Sequence, residues 1–255
     1  MVQALLFGLA ASSALVIGGV VGAFWDLPPL LLRVLLAFGS GAMISALAFE
    51  LFEEAFHLGG ATRAGLGLLA GAATFVVLEM VTEGRLPRLH RGRPEQNRAA
   101  RRSVAGIPVL VAVILDGIPE NTALGVTLIE NSNAALLVAI FIGNLPESVA
   151  GAADMRGAKK SRGFILGIWT VAALVLVLAV VVGNVALENA SPGTLSFLLS
   201  FAGGAVLAVV ATTLLPNAFR PAPDDGPAGG FHPGHPANVL AVAAGFFLSF
   251  MLAEA

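Results

Sequence analysis

Eight times along 255 residues the sequence runs for about 20 mostly apolar residues before polar, proline or glycine punctuation interrupts it. A hydrocarbon layer about 30 Å thick takes roughly 20 helical residues per crossing, and every backbone polar group inside it must be bonded within the protein. Such a chain is confined to a bundle of membrane helices. The segments fall near 4–24, 30–52, 61–82, 104–129, 134–155, 163–186, 194–216 and 237–254. Composition agrees, with 57% hydrophobic and only 12% charged residues and a mean hydropathy of +0.88. The first segment lacks the basic start and the small-residue cleavage site of a signal peptide, and is expected to be retained. The 30 glycines suit close helix contacts, because lipid supplies no hydrophobic drive between helices and small residues let backbones approach. With no cysteine, disulfides, thiolate metal ligands and cysteine nucleophiles are excluded.

Charge sets the orientation. Of 14 Lys and Arg, seven lie between Arg85 and Arg102 and four between Arg156 and Arg162, so the loops after the third and fifth segments are expected in the cytoplasm. Counting outward puts both termini on the external or periplasmic side, the loop Arg220–Pro236 in the cytoplasm, and Trp25 at the inner interface. The Arg-rich stretch 85–103 reads as a cytoplasmic tether, with His90 the one metal-ligand candidate in it. His232 and His235, in a Pro/Gly-rich loop, are further candidates, weighed against chance placement.

Two internal repeats order the segments. Ala37-Phe38-Gly39-Ser40-Gly41-Ala42-Met43-Ile44, followed by a segment ending at Phe56, recurs 163 residues later as Ser200-Phe201-Ala202-Gly203-Gly204-Ala205-Val206-Leu207, ending at Phe219. By the charge count these two segments run in opposite directions, an inverted pair of the kind secondary transporters use around a midplane site. The fourth and fifth segments repeat each other at an interval of 27, aligning Pro119 with Pro146 and Glu120 with Glu147. The expected fold class is an all-α membrane protein of eight transmembrane helices in a 3+2+3 plan, helices 1–3 and 6–8 being inverted repeats.

The chemistry concentrates in Leu115-Asp116-Gly117-Ile118-Pro119-Glu120-Asn121 and Ile142-Gly143-Asn144-Leu145-Pro146-Glu147-Ser148. A carboxylate at membrane depth costs about 3 kcal/mol even on lenient scales, and an isolated one can be protonated and hydrogen-bonded. Asp116 and Glu120 are four residues apart, and Asn144 and Glu147 three apart, so each helix offers two oxygen donors in a row. Pro119 cannot bond the Leu115 carbonyl, nor Pro146 that of Ile142, which frees backbone oxygens at the same depth. Asp116, Glu120, Asn144 and Glu147 are therefore the candidate metal ligands, an all-oxygen set for a divalent cation. Glu50, with Glu53 and Glu54 beyond it, reads as an entry funnel or as an acidic helix end in water; Glu79 and Glu83 read as solvated.

At these residues the sequence resembles the ZIP family of divalent-metal transporters, bacterial type, whose fourth and fifth helices carry H-N-x-P-E-G and H-[ND]-x-P-E-G. The resemblance implies uptake of zinc, iron or manganese into the cytoplasm across a bacterial inner membrane, through a metal site between those two helices. Glu120 and Glu147 match the family's bridging glutamates and Asn144 the polar residue of the fifth motif. Asp116 and Gly143 stand where histidines are expected, Gly117 replaces an asparagine, and Asn121 and Ser148 replace glycines. Without imidazoles, carboxylate and amide oxygen suit harder ions such as manganese.

No G-x-x-x-x-G-K-[ST] loop is present, so a gradient must drive any transport. H-E-x-x-H is absent and Asp116 is the single clear intramembrane aspartate, which argues against an intramembrane protease and against an enzyme generally. The remaining alternative is a metal sensor or a transport-inactive relative. The expected partners are a divalent cation, lipid and a second copy of the chain, with no cofactor and no nucleic acid.

Overall fold

The computed structural model describes residues 1–85, 107–130, 134–220 and 235–253. Among them every regular element is helical. In chain order these are α1 (Val2–Phe24), α2 (Pro29–Ala46), α3 (Glu53–Arg85), α4 (Ile107–Glu130), α5 (Ala135–Gly157), α6 (Arg162–Ala186), α7 (Pro192–Val209) and α8 (His235–Ala253). Two π segments, Leu47–Phe52 and Val210–Leu214, prolong α2 and α7, and the second runs on into one turn, Leu215–Ala218. Six stretches are long and apolar enough to cross a membrane: Val2–Phe24, Pro29–Val81, Ala135–Gly157, Arg162–Ala186, Pro192–Ala218 and Pro236–Ala253. Among the described residues the chain is thus an all-helical protein with the make-up of an integral membrane protein. The basic stretch 86–106 with His90, and the loop 221–234 with His232, lie outside the described residues, as does the side chain of His235.

Start signals in the sequence explain several boundaries. Pro29 and Pro192 occupy first-turn positions, where the missing N–H costs nothing, and Ser161 and Ser191 cap α6 and α7 by accepting from the Phe164 and Thr194 N–H groups, each at 3.2 Å. The stretch expected to separate the second and third segments does not do so. Glu53 to Gly59 have helix-compatible side chains and stay helical, and the break comes at Gly60, whose φ of 74° and ψ of 173° no residue with a Cβ adopts easily.

Packing follows a matched scheme. The Cβ that Gly41 lacks would run into the Val242 carbonyl of α8, and the one that Gly204 lacks into the Leu68 carbonyl of α3. In the reverse sense, Gly245 lies against the Phe38 carbonyl and Gly71 against the Phe201 carbonyl. Gly41 and Gly204, like Phe38 and Phe201, are 163 residues apart. Gly22 of α1 meets the Val149 carbonyl of α5, and Gly183 of α6 meets the Thr122 carbonyl of α4, with Thr122 and Val149 separated by the same 27 residues as the two prolines. Each contact thus has a counterpart under the exchange of α1 with α6, α2 with α7, α3 with α8 and α4 with α5. The π segments obey it too, since Leu47 and Val210 are 163 apart. α2 and α7 cross in opposite directions: Arg33, near the start of α2, donates to the Arg220 carbonyl at 3.0 Å beyond the end of α7, while Leu47 and Leu51 lie against Gly203.

Arg63 stands at one end, beside Gly59 and Gly193, while most of the described basic residues collect at the other. Arg156 pairs with Asp26, the Arg162 guanidinium lies 4.6 Å from the Phe24 ring centre, and Arg33 and Arg220 meet there too. Trp25, exposed, joins this end beside Phe24. Glu53, Glu54 and His57 follow the far end of α2, with Glu53 and His57 3.7 Å apart and both exposed.

Candidate functional site

α4 and α5 touch each other sparsely. α4 packs chiefly on α6 and then α7, and α5 on α1 and then α2. Each proline-bearing helix is thus held mainly by an outer helix, with α7 beside α4 and α2 beside α5. The physical reason lies in the small residues. Gly117 and Gly125 let α6 close onto α4 at Leu176 and Val180, while Gly18 and Gly22 let α1 close onto α5 at Ser148 and Val149.

Glu120 is 3% exposed on α4, next to Pro119. Glu147 is half-buried on α5, next to Pro146. Asp116 lies one turn before Glu120 in α4, and its side chain lies outside the described residues. Among the described residues no three His, Asp or Glu side chains gather into a metal-sized cluster.

Asn144 is buried on α5, three residues before Glu147. Gly143, four residues before Glu147, is the position turned to α2: its missing Cβ would stand 3.2 Å from Met43 Cγ and 3.4 Å from Met43 Sδ. Ser148, one turn after Asn144, has its Oγ 3.1 Å from the Ala14 carbonyl of α1 and 2.9 Å from the Asn144 and Leu145 carbonyls. A hydroxyl donates to one of these at a time. Asn144 Nδ2 is buried without a hydrogen-bond partner among the described residues.

On α4 the equivalent of Ser148 is Asn121, completely buried, whose Nδ2 donates to the Gly117 carbonyl at 2.9 Å and whose Oδ1 has no partner among the described residues. Both helices thus carry a buried polar side chain just past the proline, bonding back to the preceding turn. Its short local bonds suit a kink stabiliser, so the replacement of two small residues by Asn121 and Ser148 is structurally absorbed. The carbonyl of Ile142, which Pro146 deprives of its usual helical donor, faces α2: it would lie 3.1 Å from a Cβ at Gly39.

Two groups escaped the sequence reading. Met43 is 3% exposed and stands against Gly143. The π segments were also missed, and Leu47–Phe52 carries half-buried Glu50. π turns recur at functional sites because the wider turn displaces backbone bonds, but no side-chain pattern announces them. The 163-residue repeat was the one available signal for their pairing.

No family model matches the chain, and no curated protein sequence matches it.

Proposed function

We propose that this protein is a divalent-metal transporter of the ZIP type, taking the ion into the cytoplasm along a path flanked by the proline-broken helices α4 and α5. The observation that carries the reading is the buried Glu120 beside Pro119 together with its repeat partner Glu147 beside Pro146. A carboxylate so placed is unfavourable unless protonated or paired, and two at equivalent positions of a repeat suit a cation that crosses between two similar halves. In this reading α1 to α8 are eight spans in a 3+2+3 plan, both termini are external, and the membrane is a bacterial inner membrane. The matched contacts, the antiparallel crossing of α2 and α7, and the collection of basic side chains at one end support it.

Transport proceeds by alternating access. The repeats exchange which end of the bundle is open, and Glu120 and Glu147 hold the ion while neither end is. Asp116, the Asn144 amide and the Ile142 carbonyl are the further oxygen donors of this reading. The chain is a carrier and not an enzyme.

Reconstituted protein should take up Mn2+, Fe2+, Zn2+ or Cd2+ saturably into vesicles, and Glu120→Gln and Glu147→Gln should each abolish the saturable component while the protein remains folded. Uptake unchanged in both variants would overturn the reading. The second reading, a metal sensor or transport-inactive relative, is favoured by the contact of Gly143 with Met43 and Gly39, which closes the position where the family carries a ligand. Metal binding without flux across the whole panel would select it.

A further inference from the structure

α8 is fastened to the bundle along a narrow strip. Among its described residues it buries Asn238, Ala241, Gly245 and Ser249, each about a turn from the next on one face, and α8 packs chiefly on α2. Gly41 and Gly245 bring the two backbones into contact, and one turn beyond them, toward the π segment of α2, come Ser45 and Ser249. A further turn along α2, the Phe49 ring meets those of Phe246 and Phe250, with centres 6.1 and 5.0 Å away. Ser45 and Ser249 are 1% and 2% exposed, and neither Oγ has a hydrogen-bond partner among the described residues. Buried serines elsewhere bond back within their own helix, Ser40 to the Leu36 carbonyl and Ser200 to the Ser196 carbonyl, both at 2.7 Å. Ser45 and Ser249 do not use that local solution. The repeat supplies the contrast. In the equivalent seam of α7 with α3, the contact of Gly204 and Gly71 is followed by Ala208, 163 residues after Ser45, and by Phe75, four past Gly71 as Ser249 is four past Gly245. One seam is filled with hydrocarbon; its twin carries two hydroxyls.

We propose that Ser45 and Ser249 hold one buried water molecule between α2 and α8, enclosed by the glycine contact on one side and the Phe49 ring on the other. A hydroxyl sealed inside a membrane bundle without a partner is unfavourable, because lipid offers it nothing to bond. A polar gap with two or more partners takes up a water, whereas an apolar void stays dry. Each serine can donate or accept, so a single water can bond to both. Two neutral oxygens leave the charge of a cation uncompensated, so the pair suits water and not an ion. α8 is then tied to the bundle twice. Near its start Asn238 Nδ2 donates directly to the Ala218 carbonyl at 2.8 Å, and farther along the water links it to α2 just before the π segment Leu47–Phe52. The inference stands apart from the transport reading and does not depend on which ion, if any, the protein carries.

The test is a double-mutant cycle on the full chain in detergent, with Ser45→Ala, Ser249→Ala and the two together, read as the midpoint of thermal unfolding. A shared water makes the pair one unit. Each single change should lower the midpoint by about 2–4 °C, because the water and the remaining hydroxyl lose a partner, and the double change should cost no more than one single. Two hydroxyls without a water would give the opposite sign, since alanine relieves each of an unmade bond. Two serines bonded separately within their own helices would give additive losses. Either result overturns the proposal. A crystal structure of the wild-type protein, at a resolution that shows ordered water, decides the matter independently and does so even if the variants do not fold. A water within hydrogen-bond reach of both Oγ atoms sustains the proposal. A direct bond between the two hydroxyls, or bonds from each to its own helix with no water between them, refutes it.

Discussion

Glycine does opposite things at different places in this bundle, and the difference can be measured. At Gly204 a Cβ would run into the Leu68 backbone, whereas around Gly65 and Gly167 nothing lies within 4 Å of the added carbon. Gly204→Ala should destabilise by about 1–3 kcal/mol through overpacking, and Gly41→Ala should match it if the repeat halves are equivalent. Gly65→Ala and Gly167→Ala should instead stabilise by about 0.5–1 kcal/mol, through helix propensity and a less disordered unfolded chain. Thermal unfolding followed by loss of the monodisperse peak in detergent reads the sign of each. The two tryptophans are as unlike. Trp169 is 1% exposed against Gly19, while Trp25 is exposed. Trp25→Phe should therefore leave an emission spectrum shifted to the blue and insensitive to an aqueous quencher; a red spectrum would place Trp169 in water. Glu120 and Glu147 were legible as acids within the bundle, the first buried and the second half-buried, because charge is rare in an apolar run. The contact of Met43 with Gly143 was not legible, because nothing in a run of apolar residues says which neighbour a buried methionine meets.

The helices themselves were legible nearly to the residue wherever a proline or serine cap marks a start, as at Pro29, Ser161 and Ser191. Ends set by backbone geometry were not. The expected gap after Phe52 is helical, because nothing from Glu53 to Gly59 opposes a helix, and the chain turns at Gly60 with φ at 74°. Gly60→Ala should cost about 1 kcal/mol even though a Cβ meets no neighbour there, since the penalty lies in the positive φ. Unfolding of that variant in detergent, compared with Gly65→Ala, separates a dihedral effect from a propensity effect. The backbone hydrogen bonds missing at Pro119 and Pro146 followed from covalent chemistry alone. Which oxygen each exposes, and to which neighbour, did not: the Ile142 carbonyl meets Gly39 because α2 comes close enough there, a fact that belongs to two helices at once.

Most of the described basic residues stand at one end of the molecule, with Arg63 at the other, and this imbalance bears on orientation. Arg33, Arg156, Arg162 and Arg220 meet at one end with Asp26 and Trp25, and the described chain leaves and re-enters around the basic stretch 86–106. Because the protein lacks cysteine, a single one placed at Lys160 or at His57 has no competitor. In right-side-out cells the cysteine at 57 should react with an impermeant maleimide, and the one at 160 only after permeabilisation. Labelling in the opposite order would invert the topology and the direction of transport proposed from it. The sequence by itself determined the membrane class, the helical fold and the interval of its repeats, because the hydrophobic period, the cost of burying charge and the covalent limits of proline act locally along the chain. Tertiary structure alone decided that α4 packs chiefly on α6 and α5 on α1, and that Met43 of α2 stands against Gly143 of α5. Those outcomes depend on which backbones glycine allows to touch, and contact between residues a hundred positions apart leaves no period in the sequence to read.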